Sequence, residues 1–241
     1  MCGIVGYVGP RQAAPIILDG LKRLEYRGYD SAGLAVMSGG QINIRRDAGK
    51  LHNLITLYEN DPVSGTIGIG HTRWATHGAP SQRNAHPHLG EAGQAVIVQN
   101  GIVENFASLK EELVAEGVKF RSDTDTEVIA HLVERFLSAD VPLEEAVRQT
   151  IQRLKGANVI VAMTAREPGK IVAARMGNAG GVTVGIGDGE MFLASDMPAI
   201  LEHTRRMVFL ESQWMVVVTR EGFRVQTFDG KPVTPQMHNI A

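Results

Sequence analysis

Helical periodicity is confined to the first two thirds of this chain, and the rest contains almost only strand-like runs. Apolar residues recur at helical spacing over 13–25, 50–59, 109–117, 127–137 and 143–154. Strand-like runs occupy 2–8, 34–37, 41–46, 66–72 and 95–99, then 159–164, 171–175, 182–186, 191–194, 207–210, 215–219 and 223–228. Regular βαβ alternation is therefore excluded. The pattern predicts mixed sheets with helices layered outside them.

Three segments between these elements carry distinct turn or loop signals. Asn100-Gly101, followed by Ile102-Val103, is the strongest turn signal in the chain and predicts a hairpin. Residues 74–93 are rich in Gly, Pro, Asn and His and have no period, which predicts a long loop of functional interest. The polar tail 229–241 contains two prolines and predicts the start of a linker. A domain of residues 1–228 is thus expected.

Composition excludes several classes of protein. The formal net charge of the 241 residues is -2 with no charged block, which argues against nucleic-acid and membrane-surface partners. No apolar run approaches the roughly 20 residues of a membrane helix, and the first residues lack the basic segment of a signal peptide. A single cysteine cannot form an intrachain disulfide. The expected compartment is the cytoplasm.

That single cysteine is Cys2, directly after the initiator Met1. Removal of Met1, which is normal before a small residue, would give Cys2 both a thiol and a free α-amino group. Their reference pKa values are about 8.5 and about 7.7–8.0, so one residue would supply a nucleophile and a base near neutral pH. The alternative is a small hydrophobic side chain buried at the start of a strand.

Other polar residues are candidates for the same chemistry, each with an alternative role. Asn100 and Gly101 could donate hydrogen bonds to the oxyanion of an acyl transfer, or form a simple hairpin turn. Arg73 has the planar fork that suits a carboxylate, or forms a surface ion pair. Asp125 could accept from a substrate ammonium group, or cap the helix that follows.

A cluster of histidines in and around the long loop raises a metal hypothesis, and its members are His71, His77, His86 and His88. The spacing fits no common zinc pattern, and no second cysteine or acidic ligand set is nearby. We expect these imidazoles to form hydrogen bonds within the loop, and neither a metal nor a cofactor is predicted.

Taken in order, several segments resemble the class II glutamine amidotransferases, which belong to the N-terminal nucleophile hydrolases. These segments are 1–6, 24–33, 71–78, 84–88, 100–105 and 124–127, with the sequences MCGIVG, LEYRGYDSAG, HTRWATHG, NAHPH, NGIVEN and TDTE. Each is moderately specific, but their joint occurrence is very specific. They are similar above all to the glutaminase half of the glucosamine-6-phosphate synthases. The likeness is good to about residue 155 and looser beyond.

The resemblance implies a fold and a role for each matching residue. It implies an α+β fold, a four-layer αββα sandwich, in which Cys2 attacks the side-chain amide of L-glutamine. Its α-amine would act as base, with Asn100 and Gly101 as oxyanion hole. The resemblance also implies that Arg73 contacts the substrate α-carboxylate and that Asp125 contacts the α-ammonium group. Trp74, Thr76 and His77 would contact the substrate from a loop that closes over it, and Arg27 would support the nucleophile.

The resemblance also implies a partner and leaves alternatives open. In the family a sugar-isomerase domain uses the ammonia, and we expect this chain to lack it, hydrolysing L-glutamine without making the amino sugar. The chain departs from the family pattern at Gln99, where histidine is usual, and over 177–181 and 212–214. The alternatives are the glutaminase of another class II amidotransferase and a catalytically silent binding module of the same fold.

Overall fold

The computed structural model describes residues 2–75, 77–137 and 140–241. The α-helices in these ranges are α1 (Ala13–Arg23), α2 (Leu51–Asn60), α3 (Phe106–Ala115), α4 (Thr126–Leu137) and α5 (Leu143–Ile151). Each has the apolar face that its sequence predicts, and each ends within a few residues of the predicted boundary. None of these helices has the length and apolar character needed to cross a bilayer.

A strand is found at every predicted run, and three short strands, at 88–89, 232–233 and 238–239, were not predicted. In chain order they are β1 (Gly3–Val8), β2 (Ser31–Ser38), β3 (Gln41–Ala48), β4 (Ile67–Arg73), β5 (His88–Leu89), β6 (Ala95–Gly101), β7 (Asn158–Thr164), β8 (Lys170–Met176), β9 (Thr183–Ile186), β10 (Met191–Ala194), β11 (Arg206–Phe209), β12 (Trp214–Thr219), β13 (Gly222–Thr227), β14 (Pro232–Val233) and β15 (His238–Asn239).

Over the described ranges these strands form two sheets. One has the order β15-β11-β9-β10-β1-β4-β2-β3, and the other has the order β14-β13-β12-β8-β7-β6-β5. Every strand pair described is antiparallel, so the expectation of mixed sheets is wrong. Hairpins join six of the thirteen neighbouring pairs described and force opposite directions there, and the longer connections in these ranges also bring their strands back antiparallel.

Three apolar cores define the layers of the molecule. The central core joins the facing sides of the two sheets and includes Ile69 of β4 and Val98 of β6. A second core packs α1 and α2 on the outer face of the first sheet. A third packs α3, α4 and α5 on the outer face of the second sheet. The order is therefore helix, sheet, sheet, helix, which confirms the predicted αββα sandwich.

Strand β1 lies in the middle of the first sheet, between β10 and β4. The register pairs Gly3 with Thr72 and Ile4 with His71, so the start of β1 adjoins the end of β4. Helix α1 covers this region closely: a Cβ on Gly70 would lie 2.3 Å from Cγ2 of Ile17. Helix α1 therefore packs tightly against the strand that neighbours β1.

The predicted hairpin at Asn100-Gly101 is wrong. These residues are the end of β6, where Asn100 pairs with Val159 and Gly101 with Asn158 of β7. Gly101 does have the positive φ, +120°, that Asn-Gly suggests. The chain then leaves the sheet, because Val103 N donates to the Asp125 carboxylate (2.7 Å) and not to a returning strand.

Residues 229–241, expected to begin a linker, contribute β14 and β15 to the edges of the two sheets. Strand β14 pairs with β13, and β15 pairs with β11. The division at residue 228 stays a prediction.

Candidate active site

One cavity, of about 380 Å³, collects most of the polar residues singled out from the sequence. Cys2 precedes β1, Arg73 ends the adjacent β4, and Asn100 is the last residue but one of β6 in the other sheet. The cavity therefore lies where the two sheets meet at one end of the sandwich. Its lining residues are Cys2, His71, Arg73, Trp74, His86, Gln99, Asn100, Gly101, Ile102, Asp125, Thr126, Asn178 and Ala179.

Cys2 is half-buried, and its thiol touches the backbone of the residue after Arg73. The backbone N of Trp74 lies 3.1 Å from Cys2 Sγ and donates to it. Burial raises the pKa of the Cys2 thiol, while the hydrogen bond with Trp74 and the charge of Arg73 act in the opposite direction. Because the net effect is an increase, the sulfur needs a base before it can act as a nucleophile.

The Asn100 side chain is buried and joins both sheets. Its Nδ2 donates to the carbonyl oxygen of Cys2 (3.1 Å), so an amide N–H group lies next to the residue that carries the thiol. Its Oδ1 lies 3.1 Å from Nε2 of His71 on β4. A fixed amide donor beside a nucleophile is the arrangement that stabilises an oxyanion.

Glycine is required at position 101 by its positive φ and also by the lack of space for a side chain. A Cβ at Gly101 would lie 2.2 Å from the carbonyl oxygen of Ala157 and 3.0 Å from Cβ of Ala179. Any larger residue would push β6 away from the segment before β7, and Asn100 would move with it.

Two opposite charges line the cavity with little access to solvent. Arg73 is 4% exposed, and its Nη2 donates to the carbonyl oxygens of His77 and Gly78, the latter at 2.9 Å. Arg73 Nη1 has no hydrogen-bond partner among the described residues. Asp125 is also 4% exposed, and burial raises its pKa, an effect that the bond from Val103 opposes. A cation and an anion in one cavity suit a zwitterionic ligand.

The remaining predicted site residues lie at different distances from the cavity. Trp74 lines it, is 47% exposed and makes an edge contact with Tyr29 (ring centroids 5.4 Å apart). His77 is not part of the lining and packs its ring against Phe106 (4.3 Å). Thr76 lies outside the described residues. Arg27 lies away from the lining and pairs with Asp196 (2.7 Å).

That ion pair holds the segment after α1 against the segment after β10. Ser195, next to Asp196, exchanges two hydrogen bonds of 2.9 Å with Ile4: its Oγ accepts from Ile4 N, and its N donates to the Ile4 carbonyl. These contacts connect Arg27 to β1 through Asp196 and Ser195. The role of Arg27 in supporting the nucleophile stays a prediction.

Three of the four histidines form a buried cluster. The hydrogen bonds described for their rings go to Gln99, Asn100, Thr124 and Thr126, so the expectation that they bond within the loop is wrong. His71 is on β4 and His88 is on β5, with His86 between their rings (4.1 Å and 4.9 Å). Burial lowers the pKa of His71 to about 3, and it also lowers the pKa of His86 and of His88. In the described ranges no group of three His, Cys, Asp or Glu residues is arranged to hold a metal.

Sequence reasoning did not assign site roles to several lining residues. Gln99 and Thr126 lie in the floor, where Thr126 Oγ1 donates to Gln99 Oε1 (2.7 Å), and Ile102, Asn178 and Ala179 complete the wall. His71 was considered only as a metal ligand or loop residue. Its contacts with Gln99 and Asn100 cross from one sheet to the other, and no signal in the sequence shows them.

The chain is similar to proteins of one family along its whole length. A family model described as "Glutamine amidotransferase domain" matches residues 59–228, more than half of the chain. Two relatives named glutamine–fructose-6-phosphate aminotransferase [isomerizing] are 49% identical in Symbiobacterium thermophilum and 48% identical in Pyrococcus horikoshii. Each match covers 100% of this chain, but only 39% and 40% of the relatives.

A solved structure has the same architecture. The glutamine phosphoribosylpyrophosphate amidotransferase of B. subtilis, complexed with ADP and GMP, superposes with a TM-score of 0.81 at 26% identity. The likeness covers 94% of this chain and 49% of that one. The fold is therefore the one seen in amidotransferases, and the chain spans about two fifths of the length of the relatives named above.

Proposed function

Because this chain belongs to the glutamine amidotransferase domain family, we propose that it hydrolyses L-glutamine to L-glutamate and ammonia, with Cys2 as nucleophile. The observation that carries the proposal is the amide of Asn100, which is directed at Cys2 inside a cavity large enough for a small amino acid.

In this reaction the sulfur of Cys2 attacks the side-chain amide carbon of glutamine. The carbonyl oxygen becomes an oxyanion that accepts hydrogen bonds from Asn100 Nδ2 and the N–H of Gly101. Collapse breaks the C–N bond, and ammonia leaves after it receives the proton taken from the thiol. Water then attacks the thioester, releases glutamate and regenerates the thiol.

The base is the α-amine of Cys2, which removal of Met1 exposes. Its reference pKa of about 7.7–8.0 suits proton transfer near neutral pH. The raised pKa of the thiol supports the need for such a base. Activity is expected to rise with pH through this range.

The charges in the cavity support a specific orientation of the substrate. Arg73 binds the α-carboxylate and Asp125 binds the α-ammonium group, which leaves the side-chain amide free to reach Cys2. The unpaired Nη1 of Arg73 supports this assignment. Trp74, Thr76 and His77 close over the substrate, and Arg27 supports the nucleophile through Asp196.

We further propose that the ammonia serves the amination of fructose 6-phosphate by a sugar-isomerase domain, as the names of the relatives suggest. The share of those relatives outside the match leaves room for such a domain. Tyr29 and Trp74, whose rings are in contact, are 49% and 47% exposed, and aromatic rings exposed together favour contact with a partner surface.

The deciding experiment combines turnover with covalent trapping. The purified chain is incubated with L-glutamine, and glutamate and ammonia are measured; equal amounts of both are expected. A glutamine-like chloroketone should then label Cys2, as located by peptide mapping, and mass spectrometry should find Met1 absent from active material.

The matched controls are Cys2→Ala, which should have no turnover, and Cys2→Ser, which should have very little. Turnover by Cys2→Ala, or full activity of material that retains Met1, would refute the mechanism.

A further inference from the structure

The imidazole of His71 is buried between the two sheets and contacts Asn100, the residue proposed for the oxyanion hole. Its Nε2 lies 3.1 Å from the backbone oxygen of Gln99 and 3.1 Å from Oδ1 of Asn100. A backbone carbonyl can only accept, so the proton of His71 must be on Nε2. Nδ1 is buried without a hydrogen-bond partner in the described ranges, as expected for the unprotonated nitrogen of a neutral ring.

This proton selects one orientation of the Asn100 amide. With Oδ1 toward His71, the amide NH₂ group points to the carbonyl oxygen of Cys2. Turning the amide by 180° would set two donors against each other at His71 and two acceptors against each other at Cys2. The reversed amide would also present an oxygen where the reaction needs a donor.

The ring of His71 is itself held by the residues beneath it. His86 stacks on it with a ring separation of 4.1 Å and an interplanar angle of 13°. His86 Nδ1 accepts from the backbone N of Gln99 (3.3 Å), so its Nε2 donates to Thr126 Oγ1 (3.2 Å). The hydroxyl of Thr126 then donates to Gln99 Oε1 (2.7 Å).

The chain of bonds continues to the neighbouring strand, where Gln99 Nε2 donates to Asn158 Oδ1 (2.6 Å). Every donor and acceptor from His86 to Asn158 is thus determined. Gln99 uses both ends of its side chain to keep this part of β6 in place.

We propose that His71 is a positioning residue for the oxyanion hole: its Nε2–H fixes the Asn100 amide with the NH₂ group toward the reacting carbonyl. The inference rests on the proposed glutaminase activity. His71 acts through Asn100 and not on the sulfur, because the described residues show no hydrogen bond between His71 and Cys2.

A matched pair of variants separates the donor from the packing. His71→Gln can present an amide N–H near the original Nε2, whereas His71→Met has a similar size and no donor. We expect kcat to fall about 10–100-fold in His71→Met, less than the loss of a whole oxyanion donor, with KM nearly unchanged. His71→Gln should retain most of the activity.

A double-mutant cycle then tests whether His71 acts through Asn100. In an Asn100→Ala background, His71→Met should lower kcat by less than about twofold, because the amide that it positions is gone. His88→Met, in the same buried histidine cluster but without a contact to Asn100, is the control, and its effect should be equal in both backgrounds. Alkylation of Cys2 by iodoacetamide, which uses no oxyanion hole, should proceed at the same rate in His71→Met.

The tautomer can be measured without any substitution, so failure of a variant to fold does not block the test. ¹⁵N-detected NMR of the wild-type protein should show His71 protonated at Nε2 and not at Nδ1. The Nδ1–H tautomer would overturn the inference, as would equal losses from His71→Met in both backgrounds. Absence of glutamine hydrolysis in the wild-type protein would instead refute the proposed function. Failure of the inference and failure of the proposed function can therefore be told apart.

Discussion

At the scale of single residues, Asn100 lies on the second sheet and both polar ends of its side chain bond to the first. Its oxygen faces His71 and its nitrogen faces Cys2. The same amide therefore ties the sandwich together and provides the proposed catalytic donor. Removing it should affect turnover more than substrate binding.

We expect Asn100→Ala to lower kcat for glutamine hydrolysis by about 10²–10³, as for other side-chain oxyanion donors. KM should change much less, since the interaction strengthens as the oxyanion forms. Steady-state kinetics measures both. Asn43→Ala, in β3 and outside the cavity lining, is the control and should match the wild type. A loss confined to KM would contradict the assignment.

The buried carboxylate of Asp125 gives a prediction about binding and pH. Asp125→Asn keeps an acceptor for Val103 N but removes the charge, so KM should rise about 10–100-fold, as for loss of a hydrogen bond to a charged group. Burial raises the pKa of Asp125, so in the wild type KM should begin to rise, as pH falls, above the usual range of an aspartate near 3.9.

KM measured against pH in both proteins tests this, because the part of the rise due to Asp125 should be absent from the variant. The melting temperature of Asp125→Asn should be no lower than that of the wild type, since a desolvated charge is removed. Asp123→Asn, an exposed neighbour paired with Arg83, should leave KM unchanged. A KM that is the same in Asp125→Asn and wild type would sink the proposed ammonium contact.

At the scale of elements, Glu127 bonds the first turn of α4 to the segment before it. Its carboxylate accepts from the backbone N of Arg121 (2.7 Å) and Ser122 (2.6 Å) and from the hydroxyl of Ser122 (2.6 Å). Burial alone would raise the pKa of Glu127, but His131 and these donors together hold it well below its usual range. The turn that carries Asp125 is thereby fixed.

Glu127→Gln should lower the free energy of unfolding by about 2–4 kcal/mol, because a neutral amide leaves buried donors unsatisfied. A carboxyl whose pKa is depressed on folding stabilises above its unfolded value of about 4.3, and this contribution is lost as pH falls through the folded value. The difference between the two proteins in urea unfolding should therefore shrink in acid. Glu116→Gln, a surface ion-pair change, should cost less than about 1 kcal/mol.

The elements themselves were largely predictable, and the failure at Asn100-Gly101 shows the limit. The local signal, a glycine with positive φ, was correct, but its use depended on a partner 57 positions away: Gly101 pairs with Asn158. The local sequence shows that a residue favours a turn conformation, but it does not show which distant strand pairs with that residue. The same limit hid the pairing of all strands in antiparallel order.

At the scale of the whole molecule, the site exists because the two sheets face each other. Cys2 and Arg73 belong to neighbouring strands of one sheet, and Asn100 belongs to the other. Spacing in the sequence does not bring these residues together, and their proximity was expected only from the chemistry that they could share and from the resemblance to amidotransferases. His71, which bridges the sheets, was missed because its role exists only after they pack.

The chain alone is expected to release ammonia without transferring it to a sugar. Incubation with L-glutamine and fructose 6-phosphate should yield glutamate and ammonia but no glucosamine 6-phosphate, measured by mass spectrometry. The proposed sugar-binding partner domain is needed for the second step. A full-length relative assayed under the same conditions is the positive control, and amino sugar formed by this chain would refute the division of labour.

The crowding around Gly101 has a consequence for the history of this protein. Every other coded amino acid adds at least the carbon atom that would collide with the carbonyl oxygen of Ala157. A library with all substitutions at this codon, selected for ammonia release, should therefore return a single survivor. Descendants of this domain can therefore reach new substrates only along paths that leave this one position untouched.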